Sequence, residues 1–408
     1  MELLRIGLVF ALVVTLLVRK VELWVTLCLG GVALGFLYRL SWVTIGVQFF
    51  QGLVEPKTIN LVLALFLILF LSEIMNETGG MRTMIDSFGA ITRDLRAVVA
   101  LLPAMIGLVP IVGGALISAP LVVEASNTLQ LSPERRTFLN YWFRHIWEYF
   151  LPTYPGVILA SALVGVSLRD IAIYNSPLSF AAIGGGIIFG FRGVGRGERT
   201  RWNKGVVEGM KGIAISLLPL MVVLFLVILF KVELVYSLMV AIGIELLRER
   251  IGWGKIRRMI VRVFLSAKIL LAMIMVVYFQ RMLEAVDAVN SFHTGLCQVG
   301  IPPLFLVVVL PLAIGFMTGL TIAPVGITFP ILLPIMQGSG DLLLYLMLAY
   351  ASGYCGVLLS PVHLCLVLTK DYFKAELMKV YRFLFPSVGV VWGIAALIFA
   401  IVGVRTQG

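Results

Sequence analysis

The sequence predicts an all-α polytopic membrane protein with an inverted-topology repeat. Each half has five transmembrane helices, one of them broken, and one re-entrant helical hairpin. Three observations predict it. Of the 408 residues 60% are apolar and only 13% charged, against about 25% charged in soluble domains, so the solvent for most of the surface must be lipid. Short motifs recur in order at a nearly constant spacing. Lysine and arginine divide unequally between the two sides that this topology creates.

Taken in chain order, apolar runs near spanning length predict helices at about 3–18, 21–38 and 59–76. The amino-terminal run resembles a signal peptide, yet it lacks a small-x-small cleavage site and the next run starts at Val21, so a retained first helix is expected. A hairpin follows at 97–130, its tip in the segment from Pro110 to Pro120. Next come a helix at 134–168, broken at Leu151-Pro152-Thr153-Tyr154-Pro155, and a closing helix at 172–191. Residues 206–408 repeat this plan, and residues 1–205 form the first unit. The second unit has helices at 208–230, 232–248 and 258–283, and a hairpin at 303–337. A helix at 341–370, broken at Ser360-Pro361, and a last helix at 382–404 complete it.

The repeat is legible in residues. Leu102-Pro103-Ala104-Met105-Ile106-Gly107 matches Leu310-Pro311-Leu312-Ala313-Ile314-Gly315, 208 residues later. Ser118-Ala119-Pro120 matches Thr328-Phe329-Pro330, Tyr141 pairs with Tyr350, and Pro152 with Pro361. Lys20-Val21-Glu22-Leu23 recurs as Lys231-Val232-Glu233-Leu234. Five matches in order are not expected by chance.

If each hairpin enters and leaves on one side, each half crosses five times. An odd count inverts the second half. Sorted on that topology, 21 of the 32 Lys and Arg fall on one side, six (Arg5, Arg39, Lys57, Arg169, Lys231 and Arg405) on the other, and five within apolar segments. The basic side is the cytoplasmic one by the positive-inside rule, which puts both termini outside an inner (plasma) membrane. The net charge of +11 then reports orientation and implies no nucleic-acid partner.

Interrupted backbone in hydrocarbon is tolerated where it lines a cavity, and matched interruptions in two halves point to a transporter's binding site. The candidate substrate-binding residues are therefore Gly113, Gly114 and Ser118 at the first tip, and Thr318, Gly319, Thr321 and Thr328 at the second. Arg144, His145 and Thr153 join them from the first break, with Ser360 and His363 from the second. Arg144 and Glu148 are spaced i,i+4 and can pair. His145, Glu148 and His363 are the candidates for a coupling ion, since histidine changes charge near neutral pH. Glu73, Glu124 and Lys268 are further ionisable groups in apolar runs, and Lys268 is expected to need a partner. His293 falls in a polar turn away from both breaks. Cys28, Cys297, Cys355 and Cys365 show neither metal-site spacing nor a disulfide framework and read as apolar helix residues; no metal or cofactor is expected.

The segments Pro110 to Pro120, Asn140 to Tyr149 and Ser360 to Thr369 resemble a prokaryotic integral-membrane family, the domain of unknown function numbered four hundred and one. The resemblance implies a relationship to the ion-transporter superfamily of gluconate, dicarboxylate, citrate and arsenite carriers. It also implies elevator-type movement and, because such folds are often dimeric, a homodimer. Ser126-Asn127-Thr128 resembles the sodium-binding motif of dicarboxylate carriers, although it lies away from the hairpin tip. The expected function is secondary active transport (a permease or symporter) of a small anionic solute, coupled to H⁺ or Na⁺. A channel or a non-transporting scaffold is the alternative. An intramembrane enzyme is disfavoured: no two histidines stand at the spacing of a zinc protease, and Ser118 lacks a Gly-x-Ser-x-Gly setting.

Overall fold

A computed structural model describes residues 2–91, 94–110, 114–195, 197, 205–265, 267–288 and 302–406. Gly113, His293 and Cys297 lie outside the described residues, as do Arg93, Arg196, Arg199, Arg201 and Lys204 of the charge count and the side chain of Glu124. In the first half the helices are α1 (Glu2–Val18), α2 (Leu23–Leu37), α3 (Trp42–Val54), α4 (Pro56–Glu77) and α5 (Gly80–Ile91). They are followed by α6 (Leu95–Ile106), α7 (Gly114–Thr128), α8 (Pro133–Arg144), α9 (Pro155–Val164) and α10 (Leu168–Gly190). The second half has α11 (Val206–Ile228), α12 (Leu234–Arg248), α13 (Trp253–Leu265), α14 (Ala267–Ala285) and α15 (Pro303–Thr318). It closes with α16 (Ile322–Gly338), α17 (Leu342–Leu359), α18 (Leu364–Phe373) and α19 (Leu377–Thr406). Among the described residues five helices are long and apolar enough to cross a membrane, six if α13 and α14 count as one bent span. The chain is a multi-pass membrane protein.

Three differences from the expected elements share one cause. Helices α3 and α5 were not foreseen, and the helix expected at 258–283 is two helices, bent by 51° between α13 and α14. Each unforeseen helix is short and carries polar residues on one face, so a search for long apolar runs passes over it. Helix α13 has Lys255, Arg257, Arg258 and Arg262. Pro56 at the first position of α4 lets Glu55 end α3 and begin α4.

The element plan repeats. Helices α2, α3 and α4 begin 211 residues before α12, α13 and α14, and α8, α9 and α10 begin 209 residues before α17, α18 and α19. Backbone detail repeats with it. Lys20 and Lys231, and likewise Arg39 and Arg250, adopt positive φ two or three residues past the last residue of a helix. At Lys20 the amides of Lys20 and Val21 bond back to Leu17 and Leu16, a Schellman closure. The recurring Lys-Val-Glu-Leu motif is therefore a helix stop followed by a helix start, with Glu22 and Glu233 at the positive ends of α2 and α12.

Helix contacts exchange between the halves. Helix α2 packs on α14, as α4 packs on α12; α7 packs on α18, as α16 packs on α9; α8 packs on α19, as α10 packs on α17. One group of helices comprises α1–α5 with α11–α14, and the other comprises α6–α10 with α15–α19. Glycine permits the tightest approach in the second group. A Cβ on Gly107 would stand 2.1 Å from the carbonyl oxygen of Arg144, and a Cβ on Gly315 would stand 2.1 Å from that of Gly353. The two contacts are the same one, made once in each half.

Candidate functional site

Helix α8 ends at Arg144 because ten residues of turn, closed by Pro152 and Pro155, separate it from α9. This turn is buried, and buried carbonyls need donors. Side chains from two other helices supply them. Tyr354 Oη donates to His145 O at 3.0 Å and Tyr350 Oη to Glu148 O at 2.8 Å, both from α17. From α10, Ser179 Oγ donates to Ile146 O at 2.6 Å and Asn175 Nδ2 to Tyr149 O at 2.9 Å. Tyr154, within the turn, donates to Gly107 O. The carbonyls of His145, Ile146, Glu148 and Tyr149 thus all accept side-chain hydrogen bonds.

The second break, Ser360 to His363, is held in the same manner, by one tyrosine from each half. Tyr141 Oη donates to Leu358 O at 3.1 Å and Tyr381 Oη to Leu359 O at 2.8 Å. Tyr141 and Tyr350 are repeat partners, and each caps the chain end at the other half's break. Gly319, at φ +62° in the left-handed region, turns the hairpin tip between α15 and α16. A Cβ there would stand 2.8 Å from the His363 backbone and 3.1 Å from Ser360 Oγ, so the tip is pressed onto the second break.

Between the breaks lies a charged cluster with almost no exposure. Arg144 is 3% exposed, His145 1%, Glu148 7% and His363 8%. Arg144 Nη1 is 3.6 Å from Glu148 Oε1, so the i,i+4 pair forms even though the helix ends between its members. Thr321 Oγ1 donates to Glu148 Oε2 at 3.2 Å, joining the second hairpin tip to the first break. Gly114, at the start of α7, leaves room for the guanidinium, whose Nε would stand 2.8 Å from a Cβ at that position. His145 Nε2 and His363 Nε2 are 3.2 Å apart.

Of the residues proposed from sequence, Gly114, Arg144, His145, Glu148, Gly319, Thr321, Ser360 and His363 therefore meet. Thr153 is buried in the same turn, with its hydroxyl unpartnered among the described residues. Ser118, Thr318 and Thr328 do not contribute hydroxyls to the cluster. Each donates to its own helix, Ser118 to Ala115 O at 3.2 Å and Thr318 to Ile314 O at 2.7 Å, with Thr328 donating to Pro324 O. Ser126-Asn127-Thr128 is the last turn of α7, where Ser126 O accepts from the Leu131 amide. Lys268 is not buried. Its side chain is 70% exposed beside Glu22, because the chain bends just before it. Glu73 pairs with Arg262 of α13 at 3.5 Å.

Sequence reasoning missed the tyrosines and Asn175, although the Tyr141–Tyr350 match was a signal for two of them. It also missed a cavity of about 550 Å³ between α4, the α9–α10 turn and the α11–α12 turn. Lys57, Arg169 and Lys231 line it with Asp170 and Glu233. These three cations are half of the six assigned to the charge-poor side.

The family model for proteins of unknown function designated DUF401 matches residues 3–402. The chain belongs to the DUF401 family. No curated protein matches it. Among solved structures this DUF401 protein is similar to the Alcanivorax borkumensis YdaH transporter, with a TM-score of 0.65 over 87% of each chain and 14% identity. At that identity the likeness establishes a shared fold.

Proposed function

We propose that this protein is a secondary active transporter of a small anionic solute, driven by an H⁺ or Na⁺ gradient. The observation that carries the reading is the meeting of both chain breaks and the second hairpin tip on one buried Arg144–Glu148 pair. A buried guanidinium is a strong fixed anion receptor, because its planar donors match a carboxylate or oxyanion. The basic side chains around the 550 Å³ cavity favour approach of the same class of solute. The fold shared with a protein reported as a transporter supports the reading.

In the proposed architecture the halves, residues 1–205 and 206–408, are inverted, with both termini outside the plasma membrane, and α6–α7 and α15–α16 are re-entrant. The exchanged helix contacts support the pairing of halves. Helices α6–α10 and α15–α19 would travel past α1–α5 and α11–α14 in an elevator cycle, possessing their own tight glycine contacts and the whole charged cluster. Homodimerisation through the stationary group and kinship with the ion-transporter superfamily belong to the same proposal.

Proteoliposomes test it. Internal organic acids or oxyanions, screened singly, should drive counterflow of the labelled solute, and an imposed ion gradient should concentrate it. Arg144→Lys should cut uptake by at least about tenfold, since a point charge does not replace a bidentate fork. Flux that never exceeds equilibrium would support a channel instead.

A further inference from the structure

His145 and His363 are 218 residues apart in the chain, and their Nε2 atoms face each other at 3.2 Å. The other nitrogen of each ring faces a backbone carbonyl. His145 Nδ1 lies 2.6 Å from Tyr141 O, and His363 Nδ1 lies 2.7 Å from Gly319 O. A carbonyl oxygen can only accept, so both Nδ1 atoms carry hydrogen, and a neutral ring then has a bare lone pair on Nε2. Two lone pairs aimed at one another in a buried site repel unless a cation stands between them.

A third donor is present. Ligand atoms of His145, His363 and Cys365 all lie within 4.8 Å of one another, and all three residues are buried. Glu148 Oε1 lies 3.8 Å from His145 Nε2. We propose that His145 Nε2, His363 Nε2 and Cys365 Sγ bind a divalent transition-metal ion of the zinc class, with the Glu148 carboxylate as a nearby balancing charge.

Geometry and donor chemistry agree on this ion. Two imidazole nitrogens about 2.0–2.1 Å from a tetrahedral zinc stand roughly 3.3 Å from each other, close to the spacing observed. Imidazole with thiolate selects borderline and soft cations over Na⁺ or Mg²⁺, which take oxygen donors. The Nδ1–H to carbonyl bonds are the outer-shell contacts that orient metal-binding histidines. The Tyr141 ring fixes both imidazoles from the side, with centroids 4.6 Å and 5.4 Å away. Arg144, 3.6 Å from Glu148 Oε1, is the nearby opposing charge; a thiolate and a carboxylate together outweigh it beside a dication. A proton shared by the two rings is the competing occupant, and it makes no use of the sulfur. With every donor buried, the ion is a resident one that ties the first break to the second.

The test does not depend on what the protein transports. Tag-free protein purified in detergent is assayed for metal, stripped, and titrated with Co²⁺. The expected result is one ion per chain, strong visible bands of a tetrahedral Co²⁺ centre, and a near-ultraviolet sulfur-to-cobalt band. Cys365→Ser should abolish the near-ultraviolet band and retain weaker visible bands. His363→Gln should weaken Co²⁺ binding by more than the roughly 10- to 100-fold that loss of an outer-shell partner costs. Folded wild-type protein that holds no metal and shows no sulfur-to-cobalt band overturns the proposal, whether or not the variants fold. Bands unchanged in Cys365→Ser overturn it too. Flux measurements are separate, so a silent transport assay beside a clear cobalt spectrum would count against the transport reading only.

Discussion

The two chain breaks occupy equivalent places and are chemically unlike. The first is ten residues long, bears His145 and Glu148 and follows directly on Arg144; the second is a four-residue turn bearing His363 alone. At the repeat spacing Arg144 corresponds to Gly353, Glu148 to Val357, His145 to Tyr354 and Tyr154 to His363. In the first half a long cation leans on Gly114, whereas in the second Gly353 accepts Pro324, whose Cβ would lie 2.9 Å from a Cβ placed there. Backbone contacts are reproduced in each half, down to the glycine against the carbonyl, but at the two breaks charge is placed once. Repetition supplies the architecture, and divergence at a few positions supplies one polar centre instead of two.

The largest expected effect breaks that asymmetry. Glu148→Ala leaves Arg144 buried with its carboxylate gone and should cost about 3–5 kcal/mol, while Val357→Ala at the equivalent position should cost about 1–2 kcal/mol. Melting of each variant in detergent, followed by fluorescence-detected size exclusion, measures the gap, and equal losses would undo the claim that charge matters at one break only. Next come Gly107→Ala and Gly315→Ala. Both put a Cβ 2.1 Å from a backbone oxygen, and overpacking costs typically about 1–3 kcal/mol or more. Matching losses would sharpen the equivalence of the halves; tolerance at one site would deny it.

Tyr141→Phe and Tyr350→Phe each remove one hydroxyl and leave a buried carbonyl without its donor. Each should lower stability by about 1–2 kcal/mol, and hydrogen exchange should rise in the other half's break, near Leu358 or Glu148 respectively. A rise confined to the mutated helix would contradict the reciprocal capping. The smallest effect is expected at Lys268→Ala, within about 1 kcal/mol, because its pairing with Glu22 is exposed. A loss comparable to that of Glu148→Ala would restore Lys268 to the interior.

Much of the fold was legible in the sequence because membrane helices must satisfy their own backbone and cover themselves with apolar residues. The long spans and the order of hairpin, break and closing helix follow from that requirement. Helices α3, α5 and α13 escaped it because short helices with a polar face need no such run. The polar centre was half legible. Arg144 and Glu148 announced themselves by spacing, and Pro152 and Pro361 announced the interruptions. Ser118, Thr318 and Thr328 misled, since a hydroxyl in an apolar helix has the carbonyl one turn back as a ready partner.

What the sequence by itself determined is a lipid solvent, a doubled plan and two places where helices must stop. Those are local consequences of composition, proline and periodicity. Only the tertiary structure decided that the two stops meet, that tyrosines of one half cap chain ends in the other, and that His145 comes within 3.2 Å of His363 and close to Cys365. Donors 218 residues apart carry no spacing signature; their meeting depends on how packed helices lean, which no short stretch of residues encodes.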